Sequence, residues 1–181
     1  GEDYTLMASR GCPFNCSYCS NSSLRTLYGQ GYRVRRRSVE SVIQECKQAI
    51  SNIGTIRFIN FMDEQFLVSS EWTKEFAEKY KKEINLPFIV QLHPGTFNEE
   101  MIQLLRNAGL KFAILGIQSG SKRTNREIFH RPFNEKALVE ASRILSKQGI
   151  YVYYDVILEN ELETEQDRAE TVKLLLKLQK P

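Results

Sequence analysis

The stretch TIRFINFMDEQFLVSSEWTKEFAEKY, Thr55 to Tyr80, decides the fold. TIRFINF is a short run of β-branched and aromatic residues and reads as a strand, while SSEWTKEFAEKY spaces Trp72, Phe76 and Tyr80 along one buried helix face. A polar turn, MDEQF, joins the two. The same pattern returns on both sides. Upstream, YTLMAS is a strand candidate and SVESVIQECKQAI a helix capped by Ser38, with Val39, Val42, Ile43, Cys46 and Ile50 on one face. Downstream, PFIVQL leads into NEEMIQLLRNAG, with Asn98 as cap and Gly109 as stop. KFAILGI then leads into NEKALVEASRILSKQG, and YVYYDVILEN into ETEQDRAETVKLLLKL, which opens with a capping box from Thr164 to Asp167.

About five alternating βα units force a parallel sheet, because each crossover helix returns the chain to the same edge in the same hand. An open doubly wound sheet and a barrel both satisfy this. In either, ligands gather at the carboxyl ends of the strands. The polar residues follow that rule. The segments after the strands hold three cysteines, then MDEQF, HPGT, QSGS and ENELE, whereas the helix-to-strand turns are plain stops such as NAGLK and KQGIY. The functional face is therefore expected at one end of the sheet.

Composition narrows the class. The 181 residues are 41% hydrophobic and 26% charged, as in one ordinary soluble domain with a real core. A formal charge of +3 is too small to argue for a nucleic-acid or membrane partner, and no apolar run approaches a membrane span. The opening GEDYTLMASR has no signal character, and the cysteines fall three plus one, which argues for a cytoplasmic location over an oxidising one.

Cys12, Cys16 and Cys19 have the spacing C-x3-C-x2-C on a loop, close enough to converge on one inorganic centre. Structural zinc takes four protein ligands, and the paired knuckles that usually supply them are absent, although His93 or His130 could be recruited. An iron-sulfur cluster held by three cysteines fits better, since it leaves one iron open. Three unligated thiols at this density would be an oxidation hazard without packing benefit.

CPFNCSYC, with an aromatic residue before the last cysteine, resembles the cluster motif of the radical S-adenosylmethionine (radical SAM) enzymes, and it lies after the first strand of a βα repeat, as it does there. RRRSVESVIQE, FINFMDEQF, LLRNAGLKFAILGIQSGS and YYDVILENELETEQD are similar in order and spacing to segments of the subgroup that often carries a cobalamin-binding domain upstream. The resemblance implies an α/β fold, a partial TIM-type parallel (β/α)6 barrel, with residues 1 to 181 forming a core that lacks its sixth unit. That unit would cover the apolar flank of the last helix, Leu174, Leu175, Leu176 and Leu178. It also implies a 4Fe-4S cluster on Cys12, Cys16 and Cys19, reductive cleavage of S-adenosylmethionine to a 5′-deoxyadenosyl radical, and an external electron donor such as flavodoxin or ferredoxin. Methyl transfer through cobalamin is the other outcome the subgroup implies; its Asp-x-His-x-x-Gly signature is absent, so any such domain lies outside these residues.

Roles follow by position. Met62, Asp63 and Glu64 stand where the family has glycine-glycine-glutamate, and a carboxylate there accepts bonds from the cofactor's ammonium group. Gln118 and Ser119 stand where relatives have glutamate-serine and would meet ribose or the methionine carboxylate. Arg131 would pair with that carboxylate, and Tyr18 would lie near adenine. Val156, Ile157 and Leu158 read as core, with the strand end flanking adenine. His93, beside Pro94 and Gly95, is the candidate contact for a small-molecule or peptide substrate.

Other features have plainer readings. Cys46 lies on an apolar helix face, RVRRR reads as a solvated entry loop or domain contact, and GIQSGS lacks the lysine and spacing of a P-loop. The competing functional class is an iron-sulfur binding or electron-transfer module without radical chemistry.

Overall fold

The computed structural model describes residues 2–67 and 69–180. Seven strands and six α-helices alternate along it: β1 (Glu2–Leu6), β2 (Ser9–Arg10), α1 (Ser20–Tyr28), β3 (Arg35–Arg36), α2 (Val39–Ile53), β4 (Ile56–Phe61), α3 (Ser70–Glu83), β5 (Phe88–Leu92), α4 (Glu99–Ala108), β6 (Leu110–Gln118), α5 (Glu135–Lys147), β7 (Tyr151–Val156) and α6 (Glu165–Lys177). Five strands form one parallel sheet in the order β1-β4-β5-β6-β7, so neighbours in the sheet follow one another in the chain. Every expected strand-and-helix pair is present. Their carboxyl ends share one edge, where the polar loops collect.

Local chemistry sets the boundaries. Ser38, Ser69 and Asn98 each accept a backbone N–H at the start of α2, α3 and α4, and Thr164 with Asp167 closes a reciprocal capping box on α6. The helices cover one face of the sheet, where Phe61, Phe66, Phe76, Tyr80 and Phe88 are fully buried with ring centroids 4.9 to 6.2 Å apart. Each such side chain stabilises the fold by roughly 1.5–3 kcal/mol on burial. Cys46 is fully buried in the same core, and burial pushes its thiol up to about 12, so it is inert packing.

Three features depart from the expectations. Val156 packs partly buried against the core, but Ile157 does not join it and Leu158 is 75% exposed, because β7 ends at Val156 and the chain leaves the sheet there. The flank of α6 divides: Leu174 and Leu178 are buried while Leu175 and Leu176 are exposed. Between β1 and α2 the chain also forms α1 and the short antiparallel β2–β3 pair that brackets it, neither of which carries an apolar periodicity.

One further device anchors the functional edge. After β6 the chain runs through a wide turn, Thr124–Ile128, in which Phe129 N–H donates to Thr124 C=O at 2.8 Å. The segment before it is pressed onto α6: a Cβ on Gly120 would lie 2.4 Å from Thr171 Cα, so only glycine fits. Ser121 and Arg123 then donate to Asp167, each at 2.5 Å, and Arg123 above all holds that carboxyl well below the usual range.

Candidate functional site

The cysteine loop spans the carboxyl edge and is clamped from two sides. On one side Tyr32 accepts the Cys12 N–H at 2.9 Å and donates to Asn21 Oδ1 at 2.9 Å. Arg25 lies over the Tyr32 ring and donates to the Cys12 C=O at 2.9 Å. On the other side the wide turn holds Ser17, whose N–H donates to Phe129 C=O at 3.0 Å and whose hydroxyl donates to Ile128 C=O at 2.6 Å. Cys19 is the N-cap of α1, and its sulfur lies 3.7 Å from Asn21 Nδ2.

Among the described residues no three His, Cys, Asp or Glu side chains are grouped to hold a single metal ion. One tetrahedral zinc would bring thiolates to about 3.8 Å of one another, given its short metal–sulfur bonds. Thiolates bound to three different irons stand further apart. The three cysteines nonetheless feel one another: burial first, then the charges of Cys16, Cys19 and Glu64, push the Cys12 thiol up, against a backbone hydrogen bond at Phe14. Three soft sulfur donors on one short loop, with the Arg131 guanidinium 3.9 Å from Cys16 Sγ, fit an iron-sulfur centre. Neither histidine joins them, since His130 is exposed and the His93 ring stacks on Phe14 with centroids 4.1 Å apart.

The two adjacent carboxylates are sorted by the fold. Asp63 is fully buried and accepts from Ala8 N–H at 2.9 Å and from the Ser9 hydroxyl, with Arg36 nearby. It joins the end of β4 to β2, with each of its oxygens taken by a donor of that segment. Burial raises its pKa in spite of those donors. Glu64 turns the other way. Its Oε1 accepts from Asn21 Nδ2 at 3.3 Å, the same amide that lies 3.7 Å from Cys19 Sγ, and its Oε2 is buried without a partner. A buried carboxylate oxygen lacking a donor fits an incoming ammonium group. Met62 donates its N–H to Leu6 C=O at 3.0 Å and is 40% exposed at the same edge.

The end of β6 supplies the opposite wall. Gln118 has a left-handed backbone, φ 65°, at a break in the β6–β7 register. Its amide and Arg131 fill the space a side chain at Gly116 would need, 2.7 and 3.1 Å from that position. Arg131 donates to Gly116 C=O at 3.0 Å and reaches Tyr18 OH at 3.5 Å and Cys16 Sγ at 3.9 Å. Tyr18 packs edge-on against Phe129, 4.9 Å between centroids. Ser119 points elsewhere: it is buried, donates to Glu163 at 2.7 Å and lies 3.2 Å from Thr171, so its hydroxyl ties the strand end to α6. His93 closes the site from β5. Its Nδ1 contacts Pro94 C=O at 2.8 Å, its Nε2 is buried without a partner, and burial with Arg131 nearby pushes its pKa down to about 4.

The fold thus gathers Cys12, Cys16, Cys19, Tyr18, Met62, Glu64, His93, Gln118 and Arg131 at one edge, and sets Asp63 and Ser119 into supporting roles. Asn21, Arg25 and Tyr32 belong to the site and escaped sequence reasoning. Only the closeness of Asn21 to Cys19 in CSN offered a signal.

Comparison with known proteins agrees with this geometry. Residues 6–175 match the model of the Radical SAM superfamily. An uncharacterized methyltransferase of Pyrococcus horikoshii is 30% identical over 174 residues, 96% of this chain and 36% of the relative. The anaerobic magnesium-protoporphyrin IX monomethyl ester cyclase of Cereibacter sphaeroides is 26% identical over 172 residues, 92% of this chain and 27% of the relative. Among solved structures, the radical S-adenosylmethionine methyltransferase TsrM from Kitasatospora setae, with cobalamin and a [4Fe-4S] cluster bound, superposes with a TM-score of 0.80 at 18% identity, covering 97% of this chain and 34% of TsrM. The chain therefore spans about a third or less of the length of these relatives. Its cysteine motif, parallel βα architecture and family match agree, and the chain belongs to the radical SAM superfamily.

Proposed function

We propose that this chain is the core of an enzyme that holds a 4Fe-4S cluster on Cys12, Cys16 and Cys19 and binds S-adenosylmethionine at the open iron. When bound and reduced, the cluster would supply the single electron for cleavage of the cofactor's sulfonium carbon–sulfur bond, which leaves methionine and a 5′-deoxyadenosyl radical. The protein's part is positioning and exclusion of water. The free oxygen of Glu64 takes the ammonium group, and Asn21 fixes that carboxylate beside Cys19. Arg131, anchored on Gly116 C=O, offers its guanidinium to the carboxylate of the same cofactor. Gln118 presents its amide to ribose, Met62 its side chain, and the Tyr18 segment its backbone to adenine. His93, neutral at physiological pH because burial lowers its pKa, offers Nε2 as an acceptor to a substrate donor.

The observation that carries this reading is the shared Asn21 amide, which donates to one Glu64 oxygen at 3.3 Å and lies 3.7 Å from Cys19 Sγ while the other Glu64 oxygen is buried without a partner. The names of the relatives support methyl transfer or another radical transformation, with cobalamin supplied by a domain outside these residues; the electron would come from an external flavodoxin- or ferredoxin-like donor. None of the described helices is long and apolar enough to cross a membrane.

The test is electron paramagnetic resonance of the reduced, cluster-loaded protein with and without S-adenosylmethionine, followed by a search for 5′-deoxyadenosine. A changed spectrum and the nucleoside are expected. A cluster whose spectrum ignores saturating cofactor would instead mark an electron-transfer module.

A further inference from the structure

Behind the Tyr32 side of the cysteine loop lies a cavity of about 450 Å³, bounded by α1, the Gly29–Gly31 turn and the β2–β3 pair. Its lining is cationic, with Arg10, Arg33 and Arg35, and its open wall carries Tyr28 and Leu24, 62% and 40% exposed. Its one acid, Glu64, is turned to Asn21.

The run Arg33 to Arg37 divides by what each guanidinium touches. Arg36 donates to Phe66 C=O at 2.8 Å and lies over the Trp72 ring, while Arg37 pairs with Glu45 and donates to the Ser41 hydroxyl at 2.9 Å. Those two hold the fold together. Arg10, Arg33 and Arg35 have no side-chain hydrogen bond or ion pair among the described residues, and all three are exposed at the cavity. Moreover Arg10 and Arg35 are direct cross-strand partners in the β2–β3 pair, so two like charges stand opposite each other on one face. Gly11, at φ 89° and with Arg33 C=O 3.1 Å from where its Cβ would be, lets the two arms close and draws Arg33 to the same mouth. Opposed cations without a counter-charge form a site for an anion, and arginine forks match phosphate oxygens in particular.

We propose that this cavity binds a phosphate-bearing small molecule, its phosphate or diphosphate between Arg10, Arg33 and Arg35 and its planar or apolar part against Tyr28 and Leu24. Asn21 and Glu64 are shared between this lining and the proposed cofactor site, whereas the three arginines have no part in holding the cluster or its cofactor, so phosphate binding through them can be tested apart from the radical reading. The cavity is also linked to the cysteines in space: Tyr32 lines the cavity and accepts the Cys12 N–H, which puts an occupant one side chain away from the cluster loop.

The experiment is calorimetric titration of the cluster-loaded, anaerobic protein with methyl phosphate, phenyl phosphate and pyrophosphate. A single-stranded RNA oligonucleotide forms a further arm. The inference requires phenyl phosphate and pyrophosphate to bind with Kd of about 1 mM or tighter. Arg10→Gln with Arg35→Gln should weaken both at least tenfold, while Arg143→Gln, whose guanidinium pairs with Glu140 elsewhere on the surface, should change nothing. Tyr28→Ala should abolish the preference for phenyl over methyl phosphate and leave pyrophosphate unaffected. Because the paired arginines repel, the double variant should keep or raise the denaturation midpoint, which separates lost binding from lost folding. Failure of every probe to bind overturns the proposal, as does equal weakening by Arg143→Gln. An oligonucleotide that outcompetes the small phosphates through the same arginines would assign the surface to nucleic acid instead. A protein that takes up no iron yet still binds phenyl phosphate through Arg10 and Arg35 would sustain this inference while refuting the cluster reading.

Discussion

Removing Asp63 and removing Glu64 should have opposite consequences, although the two carboxylates are neighbours in the chain. In Asp63→Ala the Ala8 N–H and the Ser9 hydroxyl, both buried, lose their acceptor at once. Each unsatisfied buried donor costs roughly 1–3 kcal/mol, so the variant should lose about 2–6 kcal/mol of stability. That is a large share of a total of about 5–15 kcal/mol, and the β4 end should come loose from the segment that leads into the cysteines. Glu64→Gln, by contrast, keeps an acceptor for Asn21 and exchanges the unpartnered Oε2 for an equally unpartnered NH2, so stability should change by less than about 1 kcal/mol. Its cost appears in cofactor binding. Loss of a charge-assisted bond to an ammonium group should weaken S-adenosylmethionine by about 1–3 kcal/mol, or roughly 5- to 150-fold in Kd. Urea denaturation measures the first effect, and titration of the reduced cluster's electron paramagnetic resonance spectrum the second. An Asp63→Ala protein with wild-type stability, or a Glu64→Gln protein with unchanged cofactor affinity, would refute the assignment of the two carboxylates.

Three further outcomes are expected. Gly120→Ala should destabilise the protein by about 1–3 kcal/mol in the same denaturation assay, because its methyl group would sit 2.4 Å from the Thr171 Cα and α6 would have to move away. Asp167→Asn should cost roughly 1–2 kcal/mol at neutral pH, discounted for the exposure of Arg123. Asp167's pKa is lowered in the folded state, so this contribution is present above its unfolded value of about 3.9 and is lost as the pH falls below it; denaturation midpoints of the two proteins should converge in acid. Arg131→Met should shift the cluster's midpoint potential to more negative values, with Arg131→Lys between it and wild type, because a cation 3.9 Å from Cys16 Sγ favours the reduced, more negative cluster. Spectroelectrochemistry checks that order.

Much of the architecture could be read from the residues because the local signals agree. The strand FIVQL and the helix beginning at Glu99 are marked by composition, by a cap at Asn98 and by a stop at Gly109, and all of these act within a few residues. Helix α1 had no such mark. SNSSLRTLY has no apolar face, its one buried residue is Asn21, and it stands because the cysteine loop and Tyr32 hold it. The three cysteines were legible for a different reason, since their spacing alone specifies a chemistry. The division of labour between Asp63 and Glu64 was not, because it depends on the Ala8 N–H and the Asn21 amide, 55 and 43 residues away in the chain. Likewise Ser119 looks like a ligand contact in GIQSGS until Glu163 and Thr171 are seen to occupy it. The arginine run reads as one feature, whereas Arg36 and Arg37 are structural and Arg33 and Arg35 face a cavity.

The central claim is that Cys12, Cys16 and Cys19 together hold one 4Fe-4S cluster, and iron and sulfide content after anaerobic reconstitution tests it most directly. Wild type and Cys46→Ala should carry a full complement and show brown absorbance, while Cys12→Ala, Cys16→Ala and Cys19→Ala should each lose most of the iron. Retention of the full cluster by Cys12→Ala, or its loss in Cys46→Ala despite an unchanged fold, would contradict the account.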